Sequence, residues 1–200
     1  MEAVAAAINQ RIAVQARQLR AARRLSLGAL ALKSGVSRSM LSLIERGEAS
    51  PTAVVLERLA TGLGVPLARL FDSPRARRAT QPVSRRAEQP VWRDPASGYL
   101  RRNVSPPHWP SPLQIVDVNF PAGARVAYET GARDVRVHQQ IWVLAGRIEV
   151  SYGEQLFRLG GGDCLALLLD RPIVFANRSR RAARYAVVIS AADSAARDLR

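Results

Sequence analysis

The chain has 200 residues, 48% of them apolar and 6% aromatic, enough for one or two compact domains and too apolar for a disordered chain. Its formal charge is +14, from 30 basic and 16 acidic side chains, and every basic residue but Lys33 is arginine; the imbalance favours a polyanionic partner, because neutralising phosphates releases their counterions. The single cysteine, Cys164, excludes an internal disulfide, and with no signal-like N-terminus and no run of about 18 apolar residues the expected location is cytoplasmic, without membrane contact.

From residue 5 to residue 71 apolar side chains recur at three- and four-residue spacing, as in Ile8, Ile12 and Leu19 with Gln15 at the stripe's edge, the pattern of amphipathic helices. Five are predicted, near 5–24, 27–33, 38–46, 51–62 and 66–71. Ser26 and Ser37 are placed to cap the second and third, Ser50 with Pro51 to start the fourth, and Gly35, Gly47 and Gly64 to stop helices in the left-handed region. Residues 72–112 then hold eight of the twelve prolines and a net charge of +5. Their first part, 72–90, reads as a flexible basic linker; VWRDPASGYLRR reads as edge strands belonging to the C-terminal half. From Leu113 onward apolar side chains alternate with period two, broken at Pro121–Gly123, Ala145-Gly146, Tyr152-Gly153 and Gly160–Asp163, which predicts a β-sandwich or barrel.

The segment SLGALALKSGVSRSMLSLIERG, residues 26–47, carries the sharpest signal. A helix after Ser26 buries Leu27, Leu30 and Ala31; Ser34, Gly35 and Val36 form a tight corner; a helix after Ser37 buries Leu41 and Ile44. This is the helix-turn-helix pattern, with small Ala31 allowing close approach and Val36 plugging the corner. The second helix fits a major groove and the first aims its N-terminus at phosphate. The predicted contacts are Ser26, Leu27, Ser37, Arg38, Ser39, Met40, Ser42, Leu43 and Arg46. Arg38 can hold a guanine or a phosphate, the serines either, and Met40 or Leu43 a thymine methyl. Glu45 and Arg46 have a second use, in pairing and capping.

With its continuation EASPT and LERLATGLGVPLARLF, this string resembles the DNA-binding domain of the XRE, or lambda-repressor-like, family over roughly residues 9–71. The resemblance implies an operator-binding dimer. Where the family commonly opens the first helix of the motif with glutamine, this chain has Leu27 and Gly28, so that phosphate contact is not carried over.

The β half, through PAGARVAY, HQQIWVLAGRIEV and GGGDCLALLLDRPIVFAN, resembles the cupin barrels. Counting back from Gly146 puts Gln139 where the family has a glutamate, and alternation places it on the inward face with Val135, Val137, Ile141 and Val143, leaving His138, Gln140 and Trp142 outward. Counting from Gly162 puts Leu168, Asp170, Ile173 and Asn177 in the proline, glycine, histidine and asparagine slots. The chain has only His108 and His138, so an imidazole-rich metal centre is not expected within one subunit, nor any other cofactor or catalytic group. What remains is an apolar cavity for a small effector, with Tyr128, Glu129, Arg133, Gln139, Cys164 and Phe175 as candidate contacts.

The expected architecture is therefore multidomain, α followed by all-β. A five-helix lambda-repressor-like domain, 5–71 with its motif at 27–46, is joined by the 72–90 linker to a cupin (double-stranded β-helix or jelly-roll) sensor, 91–192. The expected function is a dimeric regulator that binds double-stranded operator DNA and is not an enzyme, with ligand altering the spacing of the two heads through the linker. The alternatives are a cupin enzyme with an accessory DNA-binding head and an antitoxin-like interaction protein.

Overall fold

The computed structural model describes residues 2–71, 81–107, 109–129 and 136–192. Helix α1 (Glu2–Ala22) turns Ile8, Ile12 and Ala16 into the core. Gln15, expected at the stripe's edge, lies within it at 8% exposure. The helix closes on Arg24, at φ 53°, as the Leu25 amide donates back to the Arg20 carbonyl. Helices α2 (Leu27–Ser34) and α3 (Arg38–Arg46) start at the predicted serines: Ser26 Oγ accepts from the Ala29 amide and Ser37 Oγ from the Met40 amide. Gly35 and Gly47 stop them at φ 65° and 73°.

Helix α4 (Ala53–Gly62) does not begin at Ser50-Pro51 as predicted; Thr52 is its cap. The cause is tertiary, because the Ala53 amide donates to Asp94 of the β domain at 2.9 Å, fixing the first turn there. The fifth predicted helix is a 3-10 turn, Leu67–Phe71, with Leu67, Leu70 and Phe71 buried.

Ten strands complete the chain: β1 (Val91–Arg93), β2 (Leu100–Asn103), β3 (Leu113–Phe120), β4 (Arg125–Tyr128), β5 (Arg136–Ala145), β6 (Arg147–Tyr152), β7 (Gln155–Gly160), β8 (Cys164–Leu168), β9 (Ile173–Ala176) and β10 (Ala183–Ala192). They form a six-stranded sheet, β1-β2-β3-β10-β5-β8, and a four-stranded sheet, β4-β9-β6-β7. The predicted edge strands are the β1–β2 hairpin, and the predicted turns separate β3 from β4 and β5 through β8. Alternation along β5 is as read: Val137, Gln139, Ile141 and Val143 are buried, and His138, Gln140 and Trp142 exposed. Val135 lies outside the described residues.

Asn177, in the cupin asparagine slot, is 1% exposed. Its side-chain amide donates to the carbonyls of Phe120 and Arg181 and its oxygen accepts from the Ser179 amide and hydroxyl, so it clasps the β9–β10 turn.

Head and barrel share one apolar core. The Phe71 ring lies 5.7 Å from Trp92, Asn103 donates to the Ala68 carbonyl at 3.3 Å, and Arg58 pairs with Glu129. Residues 81–90, the end of the expected linker, run beside β2, where the Arg102 guanidinium donates to the Arg86 carbonyl and Gln89 to those of Ser84 and Val104.

Candidate nucleic-acid interface and barrel cavity

Helix α3 divides cleanly between two environments. Leu41 and Ile44 are 1% and 2% exposed, whereas Arg38 and Ser39 are exposed and Met40, Ser42 and Leu43 half-buried. The first turn thus offers a guanidinium and two hydroxyls to solvent, Ser37 and Ser39 sharing a hydrogen bond of 3.1 Å. Arg46 is also exposed, but its guanidinium donates to Ser42 and pairs with Glu48 at 2.8 Å. Ser26 is exposed and Leu27 half-buried at the N-terminus of α2, the end of a helix that leaves amides for an anion.

Glu45 has a different use. Its two oxygens take Nε and Nη2 of Arg20 at 2.6 and 2.7 Å, and Arg20 also donates to the Leu25 carbonyl, so one guanidinium ties α1, α3 and the loop before α2. The hydrogen bond to Glu45 raises the Arg20 pKa above its ordinary value. Such a fork fixes direction as well as distance, and it holds α3 at a set tilt on the domain.

The second feature is a cavity of about 60 Å³ inside the barrel and at its junction with the head. Tyr99, Arg101, Tyr128, Gln139 and Tyr185 supply its polar wall, and Val137, Ile173, Phe175 and Val187 part of its apolar wall. Glu57, Pro66 and Leu67 close it from the helical side. The Tyr99 and Tyr128 hydroxyls are 3.1 Å apart. Burial pushes the Tyr99 phenol up to about 12 and those of Tyr128 and Tyr185 well above their ordinary value, so all three are protonated at neutral pH.

The residues here do not fit the metal that many cupins hold. Gln139 and Ile173 fill the glutamate and histidine slots, the one carboxylate on the wall is Glu57, and the Arg101 guanidinium would repel a cation. Among the described residues no group of three metal-ligating side chains occurs.

Comparison with known proteins bears on both parts. The Helix-turn-helix family HTH_3 matches residues 17–70. Over 59 residues the chain is 48% identical to the HTH-type transcriptional regulator SutR of Escherichia coli (strain K12), a stretch covering 30% of this chain and 33% of that one, so the match spans about a third of its curated relative. The crystal structure of an HTH_3 family transcriptional regulator from Vibrio cholerae superposes on 92% of this chain and 97% of its own at TM-score 0.74, with 26% identity. The head is a helix-turn-helix domain. The β domain is built of two antiparallel sheets, of six and four strands. A cupin domain of an XRE family transcriptional regulator from Enterobacter cloacae is also similar, at 14% identity over 46% of this chain and 95% of that one, with TM-score 0.40.

In this helix-turn-helix domain the expected DNA contacts lie at the start of α2 and along α3, the caps Ser26 and Ser37 included. Of the expected cavity residues, Tyr128, Gln139 and Phe175 line the wall together. Glu129 does not; it is exposed and paired with Arg58. Cys164 does not either, because its register partner on β5 is Trp142 and both point out of the barrel. Arg133 lies outside the described residues. Arg101, Tyr99, Tyr185 and Glu57 were not anticipated: they meet only because β2 with the turn before it, β10 and α4, far apart in the chain, converge on the cavity. The one available signal was the two-residue spacing of Tyr99, just before β2, and Arg101 within it, both of which are buried.

Proposed function

We propose that this protein is an XRE-family, sequence-specific transcriptional regulator that grips operator DNA as a dimer through α3, with its β domain, a cupin barrel, as a small-molecule sensor and dimerisation module. The observation that carries the reading is the outward presentation of Arg38, Ser39 and Ser42 on a helix whose other side is locked into the core. Two such helices in a symmetric dimer read half-sites about one helical turn apart. The net charge of +6 over residues 1–70 supplies sequence-independent attraction to the duplex.

The sensor reading is supported by the cavity's place. Its wall is built by both domains, so a ligand there touches Leu67 and Glu57 of the head as well as the barrel. That is a more direct route to differential affinity between two states than the 72–90 linker expected from sequence. The wall offers one carboxylate, Glu57, and no imidazole, so the reading makes no use of metal-based catalysis.

The test uses an operator selected from a random duplex library. Replacing Arg38 and Ser39 by alanine should weaken specific binding by about 1–3 kcal/mol per lost base contact, with circular dichroism and thermal midpoint unchanged. Unaltered operator affinity in the folded double variant would refute the groove assignment.

A further inference from the structure

Arg101 is 6% exposed, and its Nε and Nη2 are buried with no hydrogen-bond partner among the described residues. A guanidinium keeps its charge in a protein interior, and a buried charge without hydrogen bonds is strongly unfavourable. One of its faces is covered by the Phe71 ring, 5.6 Å away. Nε and Nη2 form the side-on edge of the fork, whose two parallel N–H groups match the two oxygens of a carboxylate. The same chain uses that edge in this way twice more. Arg20 holds Glu45 with these atoms at 2.6 and 2.7 Å, and Arg184 holds Asp117 with them at 2.9 and 3.2 Å.

We propose that the barrel cavity receives a small carboxylic acid as its carboxylate, gripped side-on by Nε and Nη2 of Arg101. Around that guanidinium stand the hydroxyls of Tyr99, Tyr128 and Tyr185, kept protonated by burial and therefore able to donate to an anion. Glu57 also faces the cavity, but it does not bond the two orphaned atoms. Its negative charge disfavours a dianion more than a single carboxylate. Val137, Ile173 and Val187 suit a short aliphatic tail, and Gln139 a hydroxyl or keto oxygen on it. A space of about 60 Å³ admits a few heavy atoms, since one water takes about 10–15 Å³ in this measure.

The proposal rests on the sensor reading and can fail separately from it. Full-length protein in carboxylate-free buffer is titrated calorimetrically with acetate, propionate and pyruvate, and with propionamide and sulfate. At least one acid should bind and raise the thermal midpoint, while the neutral amide and the tetrahedral anion do not. Arg101→Met should weaken acid binding about tenfold or more without lowering the midpoint of the free protein, because it removes an uncompensated charge. Arg101→Lys, which keeps the charge but lacks the fork, should weaken it comparably, and Tyr128→Phe less; these two serve if the methionine variant does not fold. Binding of none of the acids, equal binding of propionamide or sulfate, or unchanged affinity in the arginine variants would overturn the proposal. Operator affinity, measured by fluorescence anisotropy with and without the bound acid, tests the sensor reading. An acid that binds without moving operator affinity refutes the sensor and leaves the ligand class standing; modulation by a neutral compound alone does the reverse.

Discussion

The three buried tyrosines set a limit on the conditions this protein withstands. A phenol held protonated by burial must ionise once the chain unfolds, so between the ordinary tyrosine pKa of 10.0 and the value of about 12 for Tyr99 the native state binds more protons than the unfolded one. Stability is then fully present below pH 10 and falls as pH rises, by about 1.4 kcal/mol per pH unit for each such group while the two states differ by a full proton. Denaturant titrations from pH 9 to 11.5 should show this decline, and Tyr99→Phe should flatten it; an unchanged midpoint across that range would show that the tyrosines are solvated. At the same scale the sequence was unevenly legible. Gln139 announced itself as the one polar residue in an apolar alternation. Arg24, which closes α1 at φ 53°, carries no such sign, because the left-handed stops visible in a sequence are glycines.

Among the elements, the two helices of the motif were readable because all that defines them is local: a serine cap, a glycine stop and a short apolar stripe each. How α2 meets α4 was not. Sequence pointed to Ala31 for the close approach within the motif, and no local pattern marked the approach of α2 to α4. The tightest spot is Gly62, where a Cβ would fall 2.7 Å from the Ser34 Cβ and 2.9 Å from its Cα. Backbone cannot yield as a flexible side chain can, so Gly62→Ala should destabilise the protein by about 1–3 kcal/mol, despite the higher helix propensity of alanine. Thermal denaturation checks this, and a stabilised variant would mean that α2 moves freely against α4. The start of α4 was misread for a related reason. Its determinant, Asp94, lies 41 residues away, beyond any local pattern.

At the scale of the whole molecule, the outer face of the six-stranded sheet leaves large apolar side chains exposed among the described residues. Leu113, Ile115, Trp142 and Leu144 are 50%, 41%, 51% and 36% exposed there; the β3 pair lies diagonally across β10 from the β5 pair, Ile115 in register with Val188 and Trp142 with Ala186. A second copy meeting this face by a two-fold axis buries the same residues on both partners. It is the surface that best supports the proposed dimer. Trp142→Glu should shift the protein from dimer to monomer in light scattering and leave the isolated half-site affinity of α3 intact; a dimer that survives the substitution must be held elsewhere.

The seam between the domains has a bearing on how the protein can be dissected. Ring contacts run unbroken from Phe71 through Trp92, Tyr99, Phe120 and Tyr185 to Phe175 and Tyr128, each step between 5.7 and 6.1 Å. Scissors applied just before Val91 would strip the indole of its cover and leave α4 without its carboxylate. Neither fragment would be a faithful miniature of its half, and a binding constant measured on one would describe a surface that the intact chain never shows.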